Sequence, residues 1–282
     1  MRGTIRPGGP FTLGGMLGGF RLRAAIKHAL AQLRSRRAGA GVTILTYHRV
    51  GGGSFDELDL AAADFADQAE LMAWANVVSL DEASRRLETG DRSPCVVLTF
   101  DDGFADVYHN AWPLLRERRL PFTLFLATRY VGGRMRWEGA TAKSDGLALG
   151  WDQIGEFAES GLCTLGNHTH SHVRPDQLTA DELDGCSDEI ERRIGVRPRH
   201  FAYPWGVSVP ALEGDLRDRF RTASTGVVGR NLPGRDPMRL RRVPVRRTDP
   251  IEFFQAKLTG QLLPERTYGA LVTTAKKAGA RA

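Results

Sequence analysis

The sequence predicts one α/β domain, a parallel sheet or barrel with helices packed outside it. Three observations carry that expectation. Short apolar, β-rich runs alternate with segments of helical periodicity from about residue 42 onward. No internal repeat and no second shift of composition divides the stretch from about 40 to 265. Two of the apolar runs end directly in acidic or histidine clusters, as they would if chemistry gathers at the carboxyl ends of parallel strands.

The elements follow in order. "VTILTYH" (42–48) reads as a buried strand leading into the Gly-rich turn "VGGGS", and "ADFADQAELMAWA" has helical spacing. "CVVLTF" (95–100) is a second buried strand, ending in "DDG". "FADVYHNAWPLLRERRL" is helical, with Pro113 a kink or boundary because proline lacks the N–H a helix interior needs. "PFTLFLAT" (121–128) is a strand and "WDQIGEFAESG" (151–161) a helix stopped by Gly161. "CTLGNH" is a short strand, followed by the helix "TADELDGCSDEIERRIG" with Thr179 as its cap. "HFAYP" (200–204), "FRTAST" and "RLRRVPV" supply late strands, and "DPIEFFQAKLTG" a late helix.

Composition narrows the function. At 282 residues, 41% hydrophobic and 26% charged, the chain is an ordinary globular one. Its net charge of +6 is concentrated: Arg2, Arg6, Arg21, Arg23, Lys27, Arg34, Arg36 and Arg37 lie in residues 1–40, which hold no acid. The remainder is slightly acidic, so no nucleic acid is expected as a partner. The three cysteines, Cys95, Cys163 and Cys186, are odd in number and widely spaced, and form neither a disulfide framework nor a CxxC metal pattern. No apolar run reaches the length of a membrane-spanning helix.

The expected organisation is a basic leader (1–40), a catalytic domain (41–265) and a basic C-terminal tail (266–282). Within the leader, "FTLGGMLGGF" is too short and glycine-rich for a signal-peptide core. "FRLRAAIKHALAQLRSRR" places Phe20, Leu22, Ala25, Ile26, Leu30 and Leu33 near helical spacing among cations. Three readings stand: an amphipathic helix on an anionic membrane surface, a helix packed on the domain, or a disordered tail. A cytoplasmic enzyme, or one peripheral to the inner face of the membrane, suits this leader, with export left open. The oligomeric state is not legible.

The chemistry lies in two clusters. "NHTHSH" (167–172) gathers three of the seven histidines into six positions. Imidazole is the commonest ligand for transition metals, although a histidine-rich polar loop would look the same. "TFDDG" (99–103) puts two carboxylates at a strand's end, where a plain Asp-Gly turn is the bland alternative. Together, one aspartate with His168 and His172 makes a two-histidine, one-carboxylate set that leaves positions open for water and substrate. The second aspartate is then free as a base. His170, midway between, would face another way. No G-x-S-x-G elbow and no phosphate loop appears.

These motifs resemble the polysaccharide deacetylases of the NodB-homology group (carbohydrate esterase family 4). Thr99–Gly103 match the first motif, TFDDG, and His168–His172 the second, H-[ST]-x-x-H. "AYPWG", Ala202 to Gly206, stands where the third, Arg-x-Pro-[Phe/Tyr]-Gly, is expected. The resemblance runs from about 42 to 260 and implies a distorted (β/α) barrel of the NodB-homology type. It implies Asp101 as general base, Asp102, His168 and His172 as ligands of one divalent metal ion, and Tyr203, Pro204, Trp205 and Gly206 at the substrate, with the Trp205 N–H helping to hold an oxyanion. Zinc is the first expectation for the metal, with nickel, cobalt, iron or manganese tolerated by the same set.

Two departures stand out. Ala202 replaces the usual arginine of the third motif, which threatens the base with loss of its cationic neighbour. The family's late histidine, its usual general acid, is missing because no histidine follows His200. His48 in "LTYHRV" is the candidate substitute, since "LTYHRV", "DDGF" and "FAYPWG" are similar to the branch acting on poly-N-acetylglucosamine exopolysaccharides. A histidine merely hydrogen-bonded at a strand end is the plainer reading of His48. Trp137 and Trp151 bracket "EGATAKSDGLALG", a loop expected beside the site, but read as core residues. The implied activity is removal of N-acetyl groups from N-acetylglucosamine units of a polysaccharide, oligosaccharide or precursor. An O-acetyl esterase and a catalytically impaired glycan-binding protein are the alternatives.

Overall fold

Why the predicted strands form a site is visible in how they align. In a computed structural model, which describes residues 13–35, 37–137 and 146–279, the apolar runs become β1 (Val42–Tyr47), a short parallel pair β2 (Arg49–Val50) and β3 (Asp59–Leu60), β4 (Cys95–Phe100), β5 (Phe122–Leu126), β6 (Cys163–Asn167), β7 (His200–Ala202), β8 (Thr222–Ser224) and β9 (Val243–Pro244). Seven of them form one parallel sheet in the order β8-β7-β6-β5-β4-β1-β9. β1 and β4 pair over their whole length, Val42 with Cys95 through Tyr47 with Phe100. That register brings His48 and Asp101, the next residue after each strand, to the same edge.

The sheet curls. A bridge between Ser224 and Leu240, with Leu240 N–H donating to Ala223 and Thr225 N–H to Leu240, draws the β8 edge to the segment before β9. The result is a curled half-barrel with its strands' carboxyl ends on one rim, the α/β architecture the sequence predicts. β1 and β4 are buried along their whole length, as parallel strands covered by helices must be. Tyr47, Phe65, Phe100, Phe122 and Phe157 form a continuous aromatic core beneath the rim.

Among the described residues the helices are α1 (Leu13–Ala31), α2 (Ala62–Ala73), α3 (Leu80–Glu88), α4 (Trp112–Glu117), α5 (Trp151–Glu159), α6 (Ala180–Ile194), α7 (Glu213–Arg219), α8 (Ile251–Leu258) and α9 (Leu263–Gly279). The helix expected around Pro113 is divided: a π-helical turn, Val107–Ala111, precedes α4, and Pro113 sits in the first turn of α4, where its missing N–H costs nothing. Thr179 caps α6 by accepting from the Glu182 N–H, and Gly195 ends it at φ 79°.

α1 packs on α8 and α9. Lys27, fully buried, donates to Asp249 and Thr248 at 2.7 Å each; Lys257 donates to the other Asp249 oxygen at 2.6 Å. α9 runs through the expected boundary at 265 and covers residues 266–279. No described helix is long and apolar enough to cross a membrane. Arg2, Arg6, Arg36 and residues 138–145 of the expected loop lie outside the described residues.

Candidate active site

The β4 strand ends in Phe100, and the chain turns at once through Asp101, Asp102 and Gly103. The Asp101 N–H donates to Tyr47 O, tying the turn to β1, and Asp102 takes the left-handed region at φ 74°. Gly103 has φ 99°, and a Cβ there would come within 2.8 Å of Leu126. This turn aims both carboxylates inward; Asp101 and Asp102 are 2% and 3% exposed.

The second cluster follows β6. Asn167 anchors it: its amide donates to Leu183 O and Ser187 Oγ, and its Oδ1 accepts from the Thr169 N–H. Glu182 on α6 accepts from the Ser171 N–H and hydroxyl, and Tyr130 donates to Ser171 O. These bonds hold Thr169 and His172 at φ 68° and 51°, a conformation costing about 1–3 kcal/mol per residue and concentrated at functional sites. His170 turns away, its Nδ1 3.0 Å from Thr128 Oγ1, and so does not enter the site.

Asp102 Oδ1 lies 3.4 Å from His168 Nε2 and 3.4 Å from His172 Nε2, and all three residues are buried. That carboxylate oxygen is buried without a hydrogen-bond partner among the described residues. Three bonds of the length nitrogen and oxygen make to a tetrahedral divalent metal would set ligand atoms roughly 3.4 Å apart. The donor set therefore fits a metal ion. His168 Nδ1 is 2.7 Å from Ala202 O, which fixes the proton on Nδ1 and leaves Nε2 as the lone-pair donor. Burial pulls His172 below its ordinary value, favouring the neutral ring a ligand requires. Burial opposes ionisation of Asp102, but His168 and His172 beside it hold the carboxyl well below its usual range.

Asp101 does not lack a cation. Arg242, in the segment before β9, donates from Nη1 to Asp101 Oδ1 at 2.7 Å, and both side chains are almost wholly buried. Arg242 is held in turn by Thr225 O and lies over the Phe125 ring. The expectation that Ala202 leaves the base without a cationic neighbour is thus corrected: the guanidinium arrives from a strand 141 positions later. Burial alone would push the Asp101 carboxyl up; the charges of Arg242, His168 and His48 outweigh it and hold it below its ordinary value.

His48 stands opposite, its Nε2 3.9 Å from Asp101 Oδ2. Its Nδ1 is buried with no partner among the described residues, so the plainer reading of a histidine tied at a strand end finds no support. Together these groups line a cavity of about 390 Å³.

The third motif closes one side of it. Pro204–Gly206 form a tight turn with Trp205 at φ 63° and Gly206 at φ 68°, and a Cβ on Gly206 would lie 2.7 Å from Gly226 Cα. Tyr203, Trp205 and Gly206 line the cavity, whereas Pro204 is buried behind it. The Tyr203 ring packs edge-on against Phe201. Trp137, read from sequence as core, lies on the cavity instead, its ring centroid 4.1 Å from that of His172. Trp151 packs under Arg193, away from the cavity.

The comparisons with known proteins agree with this geometry. Residues 89–216 match the family model described as polysaccharide deacetylase. The Bacillus subtilis polysaccharide deacetylase candidate YxkH is 28% identical over 151 residues, 51% of this chain and 47% of that protein. A poly-beta-1,6-N-acetyl-D-glucosamine N-deacetylase of Staphylococcus epidermidis is 25% identical over 124 residues, 40% of each. The chain thus spans less than half the length of these curated relatives. Among solved structures, IcaB from Ammonifex degensii is similar with a TM-score of 0.66 and 28% identity, over 80% of this chain and 100% of that one. The deacetylase PplD of Streptococcus pyogenes shares the fold, with a TM-score of 0.63 and 22% identity over 74% of this chain and 94% of that one. Matched in family model, in fold and in the turns that carry the buried acids and histidines, the chain belongs to the polysaccharide deacetylases and carries a domain of the NodB type.

Proposed function

We propose that the chain is a metal-dependent hydrolase that removes N-acetyl groups from N-acetylglucosamine-type units of a glycan. The observation that carries this reading is the division of labour between adjacent carboxylates. Asp102 Oδ1 converges with two histidine nitrogens, while Asp101 points to a cation and to His48. Asp102, His168 and His172 are the residues that would hold the ion. A divalent ion bound there supplies Lewis-acid polarisation of an amide carbonyl and acidifies water.

The chain's own groups do the rest. Arg242 occupies Asp101 Oδ1, so Oδ2 is the oxygen left to take a proton from the attacking water. The water oxygen bonds to the acetyl carbon, and the N–H of Trp205 donates to the carbonyl oxygen as negative charge develops. As the C–N bond breaks, His48 gives its Nε2 proton to the departing amine, leaving acetate and a free amino sugar. The Asp101–His48 separation of 3.9 Å places base and acid on the same reacting centre. Tyr203, Trp205 and Gly206 wall the space for the acetyl methyl, backed by Pro204, and Trp137 offers a flat apolar face to the sugar.

The N-deacetylase named among the relatives supports the substrate class. The test is acetate release from a panel of N-acetylglucosamine oligomers of several lengths and linkages, with an O-acetylated xylan alongside, by zinc-loaded protein. Cleavage of the N-acetylated oligomers is expected. Release from the xylan alone would replace this reading with an O-acetyl esterase. Silence on every substrate, with metal bound, would leave a glycan-binding protein.

A further inference from the structure

Helix α1 has two apolar faces, and only one is used by the fold. The inward face seats Lys27 and Ala31, both buried, against α8 and α9. The outward face carries Leu22, Ile26 and, in the turn that ends the helix, Leu33, which are 63%, 36% and 50% exposed. Exposed Ala25 and Ala29 lie between them. The positions 22, 25, 26, 29 and 33 share one face of a helix, so a continuous apolar stripe meets solvent. Exposed Arg21, Arg23, His28 and Arg34 flank it, and residues 1–40 contain eight basic side chains and no acid.

We infer that this face docks on a bilayer surface containing anionic phospholipid, with Leu22, Ile26 and Leu33 entering the interfacial region and the arginines at headgroup level. Apolar residues on one side with cations at their margins are what binding in the plane of such a surface needs. A second copy of the same face fits poorly, because an isologous contact would set cations against cations. The position matters for the site. Arg23 pairs with Glu57, and its neighbours Asp56 and Leu58 line the cavity. A docked chain would therefore hold the cavity mouth beside the bilayer, where a glycan carried on or emerging from the membrane would meet it.

The inference rests on the helix and not on the hydrolytic reading, and its test needs no activity. The full chain is sedimented with phosphatidylcholine vesicles with and without phosphatidylglycerol, at low and high salt. The variants are Leu22→Glu/Ile26→Glu/Leu33→Glu and Arg21→Gln/Arg34→Gln. Binding to the anionic vesicles should exceed binding to the neutral ones by roughly tenfold or more and weaken with salt. The triple variant should lose binding, and the arginine pair should weaken it. Both should melt as the parent does, since these side chains face solvent. Equal sedimentation with both vesicle types, or a triple variant that binds like the parent, would overturn the inference. So would a dimer in sedimentation velocity that the triple variant abolishes, which would assign the face to self-association.

Discussion

Replacing Arg242 with methionine isolates the contact that the sequence hides. The guanidinium lies 2.7 Å from Asp101 Oδ1, with the side chains 5% and 2% exposed. Methionine keeps most of the side-chain length over Phe125 and removes only the charge and its donors. Stripping one partner from a buried pair leaves an uncompensated charge and costs about 3–5 kcal/mol. His48, 3.9 Å from the other oxygen, is partly exposed and relieves little of it, so the loss should fall within that range. For a chain of this size each kcal/mol lowers the melting temperature by about 2–4 °C, so a fall of roughly 6–20 °C is expected in calorimetry of the metal-free protein. Asp101→Asn/Arg242→Met should recover most of it, because the neutral amide no longer needs a cation; the cycle measures the coupling. In activity, Arg242→Met should lose at least about tenfold in kcat, part of the roughly 10²–10⁴-fold a positioned base contributes. Arg242→Lys should fall between, since a point charge cannot reproduce the guanidinium's two-sided hold on Asp101 and Thr225. An Arg242→Met protein that melts within a degree or so of the parent and turns over at its rate would refute the assignment.

Other expectations follow from the same geometry. Lys27→Met should cost about 3 kcal/mol, at the low end for a buried pair, because Asp249 keeps Lys257; proteolysis at Arg21, Arg23 and Arg34 should quicken as α1 loosens. The Asp81 carboxyl is held at about 2, below its ordinary 3.8, chiefly by the hydrogen bond from His200, against burial, with the charges of His200, Arg199 and Arg221 adding. A folded value below the unfolded one gives stability that is complete above about 3.8 and lost as pH falls through about 2. Asp81→Asn should flatten the acid limb of a melting-temperature profile across that window and leave it unchanged near neutrality. Trp137→Ala should raise KM for oligomers by roughly tenfold, the worth of about 1–1.5 kcal/mol of aromatic stacking, with kcat changed far less.

The parts of the site legible in the sequence are those carried by contiguous residues. Asp101 and Asp102 sit in one turn, and His168 and His172 in another, so residue type and spacing expose them. The strands are legible because β1 and β4 are buried on both faces and read as unbroken apolar runs. Arg242 is not legible: one arginine of "RLRR" is like the next until the sheet curls and brings it across to β4. Trp137 is hidden for a similar reason, since an indole facing a cavity and one facing a core have the same sequence signature. α3 escapes because "LDEASRRLE" buries only Leu80, Ala83 and Ser84, too narrow a stripe to announce a helix. The leader's three readings could not be separated by periodicity, because α1 is apolar on the face it docks and on the face it exposes.

The central claim is that neighbouring aspartates serve different masters, Asp102 a metal and Asp101 the water. Metal content per chain and acetate release from N-acetylglucosamine oligomers, measured together on Asp101→Asn and Asp102→Asn, test it most directly. The account predicts that Asp101→Asn keeps its metal and loses at least about a hundredfold in rate, while Asp102→Asn loses both metal and activity. An Asp101→Asn protein that still releases acetate at the parent rate, or an Asp102→Asn protein that binds metal as the parent does, would contradict it.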